Sequence, residues 1–598
     1  MLKVLKCVES SVFNILTVFD LILKKTYYIN MNSETRNCQN CKNEFVIEKE
    51  DFNFYEKIKV PPPTWCPECR RMRRFIHTNE TVLYKRKCDL TGEDIFSMYP
   101  TDASFPVYST NSWYSDQWDP YEYGVDFDEK RPFLEQVFEL QSKIPRMSLI
   151  RQGMVVNSPY AHRVTDPKNS YMTFRASYPE NCLYVYNAKY TKDCSDSSWI
   201  FDSELCYECV NIENCYNVKF SQESKDCRDS SFLYACRNCS NCILCVNLVN
   251  GEYCIWNKKY TKEEYFQKVK DFKLNAFSNI KRTEKEFEKF RKEFPVKAVT
   301  EVKSEKVSGN WFSNCKNVLQ SFDCVGVKDS KYLFMVYNAE DCMDYYEWGN
   351  KAEQIYESVN CGLNIARLYF CNQCWMGATD LYYCNTCPGA QNCFGCIGLK
   401  KGEYSILNKK YSKEEYEILK EKIIKQMKEI PFIDKRGLKY YFGENFPEMF
   451  SDFAYNETAA YYHFPLSREE ALLCGYAWKD KEKKDYKPTI ESKNLPETIA
   501  EVDNSILNEV IECEMRDDPD SVGVFRITQN ELNFYRRMDL PLPRVCFNIR
   551  HFRRMKKRPM LKFIKRQCGK CNINVETVYD EDYAPILYCK KCYQQEVY

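Results

Sequence analysis

Histidine and glycine are both scarce in this chain. It has four histidines and 18 glycines in 598 residues, and it contains no run of 18 uncharged apolar residues. Few glycines argue against long flexible linkers, and the missing apolar run argues against a transmembrane helix. The histidines are scattered, and no GxSxG, P-loop, GxGxxG or HExxH motif is present. The sequence therefore predicts no enzyme, although a catalytic thiol stays open as an alternative.

The first 30 residues resemble a leader more than a folded segment. Residues 4–23 are largely apolar, but Glu9, Asn14 and Asp20 interrupt them. A signal peptide needs an unbroken apolar stretch and a small-residue cleavage site. We therefore expect residues 1–30 to lie outside the mature chain, with Met31 as an alternative start, and we expect a cytoplasmic protein.

Cysteine is the abundant residue, and the cysteines at the two ends belong to one duplicated module. The chain has 34 cysteines, and residues 45–108 match residues 525–588 without a gap, at an offset of 480. The string Asn-Phe-Tyr recurs at 53 and 533, and the string Pro-x-Pro-x-x-Cys recurs at 61 and 541. Such matches at one fixed offset indicate an internal duplication.

Each copy of the module retains one complete set of four cysteines. The first copy has Cys38, Cys41, Cys66 and Cys69, and the last copy has Cys568, Cys571, Cys589 and Cys592. Two CxxC pairs separated by 24 or 17 residues are typical of a tetrahedral site, so we predict two structural Zn²⁺ ions. Four protein ligands leave no position for a catalytic water, and reduced core thiols are the alternative.

The remaining positions of the duplicated module have lost their ligands. One set reads Cys88, Thr91, Ser109 and Ser112, and the other reads Asp518, Ser521, Cys546 and Ile549. We expect neither set to bind metal.

These cysteines and the shared strings resemble zinc ribbons, and more narrowly a family of uncharacterised bacterial Cys-rich zinc-ribbon proteins. The resemblance covers about 45–125 and 525–598, and the middle of the chain is similar to the same family. It implies structural zinc and no activity. Some relatives carry a CoA-transferase label, which no motif in this chain supports.

A basic segment next to the last cysteines predicts a nucleic-acid contact. Residues 536–566 contain twelve Lys or Arg and one acid, Asp539. Because the whole chain has a net charge of only +1, this charge is local. Clustered cations can neutralise phosphates, and zinc ribbons often bind nucleic acid or protein. We predict that the contact uses Arg550, Arg553, Arg554, Lys556, Lys557, Arg558, Lys565 and Arg566. A solvated helix, or pairing with a protein or with acids of the same chain, is the alternative.

The middle of the chain has a period of three. All eleven cysteines from Cys182 to Cys254 share one frame, and its 25 positions contain no charged residue, whereas 16 charges lie in the other two frames. Neither a helix nor a flat strand has this period. A narrow β-solenoid with a small inward side chain on each short face does. Asn or Asp precedes six of these cysteines, which suits left-handed corners.

A second copy of this pattern follows at an offset of 151. Its frame slips by one residue near 348–352, 361–365 and 374–378, as bulges would cause. A charged helix is predicted after each copy, at 261–292 and 412–429, to cap the open solenoid edge. Because a period of three generates CxxC automatically, we interpret the inner pairs as packed thiols, with metal sites and disulfides as alternatives. Residues 497–514 are typical of an amphipathic helix.

The chain is thus predicted to be a mixed α+β, multidomain protein with terminal zinc ribbons around two Cys-rich β-solenoids. The predicted order is a leader (1–30), zinc-ribbon module 1 (31–130), solenoid repeat 1 (131–260), a helical cap (261–300), solenoid repeat 2 (301–411), a second cap (412–435), a mixed linker domain (436–515) and zinc-ribbon module 2 (516–598). Binding of nucleic acid through 536–566 is the predicted function, and a protein-interaction scaffold is the alternative. We predict no membrane association and no small-molecule substrate.

Overall fold

The computed structural model describes residues 33–347, 349, 352, 355–359, 362, 368–375, 377–480 and 486–597. The predicted leader and the alternative start at Met31 lie outside the described residues. Among the described helices, none combines the length and the apolar character that crossing a membrane requires.

Two β-solenoid stacks occupy the middle of the chain, as predicted. Neighbouring strands are parallel except for the antiparallel pair that ends each stack, and most parallel paired residues are 12 positions apart, for example Tyr186 with Ser198 and Ser198 with Val210. In the first stack the strands are Arg151–Gln152, His162–Thr165, Phe174–Ser177, Tyr186–Lys189, Ser198–Phe201, Val210–Glu213, Tyr216–Lys219, Arg228–Tyr234, Ser240–Val246, Glu252–Ile255 and Lys258–Lys259. In the second stack they are Glu301–Val302, Glu305–Ser313, Lys316–Val325, Lys328–Lys331, Thr379–Tyr382, Gln391–Phe394, Glu403–Ile406 and Lys409–Lys410.

Each coil turns at left-handed corners three residues apart. Four such corners close one coil: Asn181, Tyr184, Asn187 and Tyr190 have φ of 52°, 57°, 52° and 51°. Left-handed backbone costs most residues about 1–2 kcal/mol, and Asn and Asp tolerate it best. The amides also bond along a column, since Asn169 donates to Asn181 at 3.2 Å and Asn181 to Asp193 at 3.0 Å.

The residue after each corner points into the stack, where most side chains are small and a few, such as Ile200, Leu233 and Tyr345, are large. The inward cysteines are buried, and their thiols donate to backbone carbonyls: Cys209 reaches Tyr207 and Val218, each at 3.3 Å. Inward serines make the same bond, as Ser197 does to the carbonyl of Ser195 at 3.0 Å. A thiol here acts as a small apolar group with a weak donor.

The second stack contains longer coils where its sequence frame slips. Tyr346 pairs with Val359, Val359 with Asn372, and Asn372 with Asn385, each 13 positions apart instead of 12. Pairing returns to 12 between Asn385 and Ile397. Three one-residue insertions in three successive coils therefore account for the three slips.

Helices follow both stacks and pack against their last coils. Lys262–Asp271 places Tyr265 with its ring centroid 5.7 Å from that of Tyr253, and Lys413–Glu429 places Tyr416 5.8 Å from Tyr404. The other α-helices are Lys49–Lys57, Pro67–Ile76, Thr110–Tyr114, Phe133–Lys143, Phe277–Arg291, Ala459–His463, Arg468–Leu473, Gln529–Met538, Phe547–Lys556 and Lys590–Val597. The helix predicted at 497–514 is wrong: two short 3₁₀ turns, Ile499–Glu501 and Asn504–Asn508, and a strand, Ile511–Glu512, replace it.

The terminal modules consist of small hairpins and helices. The hairpins of the N-terminal module (33–125) are Glu34–Asn37 with Glu44–Ile47 and Tyr84–Lys87 with Asp94–Ser97. Those of the C-terminal module (511–597) are Ile511–Glu512 with Val524–Phe525 and Ile564–Gln567 with Asn574–Thr577. Phe432–Ile433 pairs with Lys439–Tyr440 between the second stack and the C-terminal module.

Each module also pairs with the strand that leads into a stack. Val107–Tyr108 of the N-terminal module lies parallel to Arg146–Met147, just before the first stack. Leu587–Tyr588 of the C-terminal module lies parallel to Val296–Lys297, just before the second stack. The duplication therefore includes the way in which a module joins a stack.

Candidate metal centres and the buried arginine contacts

The first candidate metal centre lies between a hairpin and a helix of the N-terminal module. The Sγ atoms of Cys38, Cys41, Cys66 and Cys69 all lie within 4.8 Å of one another. Cys66 is the N-cap of Pro67–Ile76, and its sulfur accepts the backbone N–H of Cys69 at 3.5 Å. The sulfur of Cys38 accepts the N–H of Cys66 at 3.2 Å. Such N–H···S bonds favour the thiolates that a metal needs.

The second centre has the same construction in the C-terminal module. Cys568, Cys571, Cys589 and Cys592 form a group of the same size. The sulfur of Cys568 accepts the N–H of Cys589 at 3.3 Å. Burial raises the pKa of the Cys568 thiol, but backbone N–H groups of Cys589 and Cys571 outweigh it and lower this pKa to about 6.

The sulfur spacing of both centres fits a tetrahedral metal ion. Cys41 and Cys66 have their Sγ atoms 3.8 Å apart, and so do Cys571 and Cys589. Zn–S bonds of about 2.3 Å place sulfurs about 3.8 Å apart at the corners of a tetrahedron. The prediction of two four-cysteine groups able to hold a metal is thus confirmed. Within the described residues, these are the two groups of His, Cys, Asp or Glu close enough to do so.

The two decayed sites keep backbone N–H···S hydrogen bonds like those of the intact sites but lack the full set of four cysteines. In the N-terminal module, the N–H of Ser109 reaches the sulfur of Cys88 at 3.3 Å, and the Ser109 hydroxyl donates to Ser112 at 2.9 Å. In the C-terminal module, Cys513 and not Asp518 takes the first position. Its sulfur accepts the N–H of Cys546 at 3.3 Å, as the sulfur of Cys38 accepts that of Cys66.

An insertion explains the error at Asp518. Ile511 pairs with Phe525, just as Arg36 pairs with Phe45, so Cys513 corresponds to Cys38. Cys513 precedes Phe525 by twelve residues, whereas Cys38 precedes Phe45 by seven. Five extra residues therefore lie in this turn, and a gapless offset of 480 cannot include them.

The predicted nucleic-acid residues divide into a buried set and an exposed set. Arg550, Arg554 and Arg558 are 4%, 0% and 8% exposed, so these three side chains lie inside the structure and the predicted nucleic-acid contact through them stays a prediction. Arg553, Lys556 and Lys565 are exposed, and Lys557 is half-buried. Arg566 is half-buried and donates to the carbonyls of Tyr579, Asp580 and Ala584.

The buried arginines of the C-terminal module bind acids of both stacks. Arg550 Nε and Arg554 Nη1 donate to Asp196 Oδ1 at 2.9 and 2.8 Å. Arg558 donates to Asp323 of the second stack at 2.6 Å. Asp196 is a left-handed corner with no exposed surface.

The N-terminal module repeats this contact on the second stack. Arg70 Nε and Arg74 Nη1 donate to the two oxygens of Asp344 at 2.9 and 3.0 Å. Arg70 also lies over the Tyr332 ring at 5.1 Å, as Arg550 lies over Tyr184 at 4.8 Å. Sequence reasoning missed Asp196 and Asp344. Both are acids at left-handed corners, and they occupy related positions in the two repeats. This shared position is the sequence feature that could have identified them.

Both intact metal centres lie beside the second stack. The helix that begins after Cys66 binds this stack through Arg70, and Lys590, next to Cys589, lies 3.1 Å from Glu301. Both decayed sites border the first stack: Ser109 follows the strand paired with Arg146–Met147, and the helix after Cys546 binds Asp196. The N-terminal decayed site also contacts the second stack, where Lys400 donates to the carbonyl of Trp113 at 3.2 Å. The two candidate metal centres thus both border the second stack, whereas the modules contact the first stack through hydrogen bonds and ion pairs.

Comparison with known proteins adds no family to these findings. No protein-family model and no curated protein matches the chain. A solved structure described as a "putative acetyltransferase" from Desulfovibrio desulfuricans G20 is 10% identical, covers 53% of this chain and 87% of that chain, and has a TM-score of 0.11. So low a TM-score carries no argument about either protein. The zinc-ribbon family therefore stays a prediction.

Proposed function

We propose that this protein is a non-enzymatic scaffold, in which two zinc ions fix the ends of the chain to the second stack and the outer solenoid faces bind a protein. The observation that carries this proposal is the burial of the module arginines against stack acids. The positive charge of Arg70, Arg74, Arg550 and Arg554 is neutralised inside the molecule. The modules thus use their basic helices for holding two stacks together.

Zinc is the metal we assign to both centres, because four thiolates in a tetrahedral arrangement suit Zn²⁺ and leave no open position. A closed site of this kind contributes folding energy and no catalysis. We also infer a reducing cytoplasm as the location, since the inward thiols donate to carbonyls as free Cys–H groups.

The experiment is in-cell crosslinking of the native protein, followed by identification of the crosslinked species. The wild-type chain is compared with Cys38→Ser/Cys568→Ser, which cannot complete either centre. We expect a defined protein crosslinked to stack residues in the wild type and lost in the variant. Crosslinks to nucleic acid alone, or the same proteins at equal yield from both chains, would contradict the scaffold.

Nucleic-acid binding is the second candidate, and the exposed cations favour it. Arg553, Lys556, Lys562 and Lys565 remain on the surface of the C-terminal module. If they bind phosphates, Arg553→Glu/Lys556→Glu/Lys565→Glu abolishes salt-sensitive binding of a labelled 20-nucleotide RNA or DNA, measured by fluorescence anisotropy at about 150 mM salt. The matched control is Lys262→Glu/Lys413→Glu/Lys425→Glu, which changes three exposed lysines elsewhere. No binding by the wild type would eliminate this candidate.

A further inference from the structure

A cavity of about 940 Å³ lies where three parts of the molecule meet. The last coils of the first stack contribute Tyr234 and Asn247, and the first coil of the second stack contributes Thr300 and Glu305. The last helix of the C-terminal module contributes Gln594. The cavity opens to solvent, so a ligand can reach its walls. Pockets for small ligands typically measure about 300–1,000 Å³ and often lie between structural units.

Positive charge predominates in the lining of this cavity. Five cations line it: Arg237, Lys297, Lys303, Lys316 and Lys590. Three acids oppose them: Glu223, Glu301 and Glu305. Five positive charges less three negative charges leave an excess of two. A cleft with an excess of one sign of charge concentrates ligands of the opposite sign.

The acids of the cavity compensate only part of this positive charge. Lys297 and Lys590 share one carboxylate oxygen, since their Nζ atoms lie 2.7 and 3.1 Å from Glu301 Oε1. Glu223 accepts a hydrogen bond from Trp311 at 3.0 Å and pairs with no cation of the cavity. One carboxylate therefore serves two ammonium groups.

Three cations of the lining remain available to a ligand. Within the described part of the chain, the side chains of Arg237, Lys303 and Lys316 make no hydrogen bond and no ion pair. Lys303 and Lys316 are exposed and Arg237 is half-buried. Their charged groups are thus accessible from the cavity and are not already occupied by acids of the same chain.

The internal duplication provides a comparison for these cations. A cavity of about 1370 Å³ occupies the equivalent place, beside the first coil of the first stack. There the module has Thr110 at the position of Lys590, 480 residues earlier. The stack has Pro388 at the position of Arg237, 151 residues later.

The equivalent cavity has the opposite excess of charge. Its four acids are Glu93, Asp94, Asp116 and Asp119, and its three cations are Arg151, Lys400 and Lys401. Both cavities lie at a joint between a module and the stacks, so the joint itself does not require an excess of cations. The positive charge of the first cavity therefore calls for another explanation.

We propose that the positively charged cavity binds a small phosphate monoester. Such an ester has a charge of about −1.5 to −2 at pH 7, which matches the excess of two better than a single carboxylate does. The Arg237 guanidinium donates parallel N–H bonds to two phosphate oxygens, and Lys303 and Lys316 add positive charge. The remaining volume takes the alcohol part of the ester. The scaffold then has a small-molecule site where its two stacks and the C-terminal module meet.

The test is calorimetric titration of the full-length metal-bound protein at about 50 mM and about 150 mM salt. The probes are glucose 6-phosphate, glycerol 3-phosphate and adenosine 5′-monophosphate, each compared with its uncharged parent alcohol. We expect saturable binding of at least one ester, at least about tenfold tighter than that of its parent and weaker at the higher salt. No saturation up to about 10 mM, equal binding of ester and parent, or tighter binding of a 20-nucleotide RNA would overturn the proposal.

Two variants locate the site. Arg237→Gln should weaken ester binding at least about tenfold, and Lys316→Gln about threefold, because the exposed ammonium is screened by solvent. The matched controls are Arg228→Gln and Lys192→Gln, which remove the same charges from exposed stack residues outside the cavity lining. Ester binding that survives Arg237→Gln, or that falls equally in the controls, would contradict the assignment.

Lysine acetylation tests the same site in the wild-type protein. A saturating ester should protect Lys303, Lys316 and Lys590 from acetic anhydride and leave the exposed Lys262 of the first cap unprotected. Mass spectrometry of the peptides measures this protection. Equal labelling of all four lysines with and without the ester would place the ligand elsewhere and overturn the proposal.

Discussion

At the level of single residues, buried ion pairs attach the terminal modules to the stacks. Asp196 has no exposed surface and accepts from Arg550 and Arg554, so removing its charge takes the shortest ion pair from two buried guanidinium groups. Their remaining acids are more distant, with Glu531 3.7 Å from Arg550 and Glu208 3.4 Å from Arg554. Removal of one partner from a buried pair costs about 3–5 kcal/mol. The same reasoning applies to Asp344 with Arg70 and Arg74.

We therefore predict that Asp196→Asn and Asp344→Asn each lower the free energy of unfolding by about 3–5 kcal/mol. Urea denaturation followed by circular dichroism measures this. The matched control is Asp229→Asn, an exposed corner that accepts only from Asn217, and it should change stability by less than about 0.5 kcal/mol. Equal effects at Asp196 and Asp229 would contradict the role of the buried pairs.

The histidines give a second property of single residues. His77, His162 and His551 are buried and His463 is half-buried. Desolvation lowers the pKa of His77 to about 4, lowers those of His463 and His551 to about 3, and lowers that of His162 well below its usual value.

Stability should consequently fall as the pH drops below about 6.5. Between about pH 6.5 and 4 the unfolded chain binds protons that the folded chain refuses, so the free energy of unfolding decreases with falling pH. Each histidine contributes about 1.4 kcal/mol per pH unit in this window. Urea denaturation at several pH values measures the slope.

Acid also releases metal from cysteine sites, so the variant His551→Phe is used to measure what one histidine contributes to the pH dependence of stability. His551 lies among Phe547, Tyr186 and Tyr462, and neither ring nitrogen has a hydrogen-bond partner among the described residues, so a phenyl ring can replace the imidazole without losing a hydrogen bond seen there. The free energy of unfolding of this variant should decrease less steeply with falling pH than that of the wild type, because about one proton fewer is bound on unfolding. Identical slopes would show that His551 titrates normally in the folded chain.

At the scale of the element, the coil restricts what stands inside it. A face of three residues points one side chain inward, and the inward thiols lie against backbone carbonyls. We predict that these cysteines stay unlabelled by iodoacetamide in the folded protein, whereas exposed Cys474 reacts at once. The eight terminal cysteines should become reactive after a chelator is added.

Mass spectrometry of the labelled peptides counts and locates these thiols. Rapid labelling of Cys206, Cys209, Cys236 or Cys239 in the metal-bound folded state would contradict inward packing. Their labelling in urea is the control that the peptides are recovered.

The coil and the metal centres could be predicted from the sequence because both depend on local spacing. The frame of 25 positions without charge indicates which side chains point into the stack, and the paired CxxC motifs indicate which cysteines are candidate metal ligands. The partners of the arginines could not be predicted, because Arg550 and Asp196 are 354 residues apart. The helix expected at 497–514 failed for a related reason: Ile511 pairs with Phe525 in a hairpin, and tertiary contact overrides a short amphipathic pattern.

At the level of the whole molecule, the two stacks differ in the contacts that attach them to the terminal modules. One candidate metal centre of each module borders the second stack, whereas the first stack has Ser109 with Ser112 on one side and Cys513 with Cys546 on the other. Ion pairs of the same kind remain on both stacks. Loss of metal should therefore act unequally.

We predict that a chelator increases hydrogen exchange first in 33–76, 296–331 and 564–597, and later in 174–255. Hydrogen exchange with mass spectrometry, with and without chelator, measures this difference. The first stack acts as the internal control, since it has the same coil without an intact metal centre beside it. An equal and simultaneous increase of hydrogen exchange in both stacks would contradict the prediction that the second stack depends more on metal.

The number of zinc ions bound to each purified full-length chain, measured by native mass spectrometry, decides whether the terminal cysteines alone hold metal. We expect two in the wild type, one in Cys41→Ser, one in Cys571→Ser and none in the double variant. No zinc in the wild type would remove the metal from the scaffold, and three or more would show that inner cysteines are ligands and not the packed interior of the stacks.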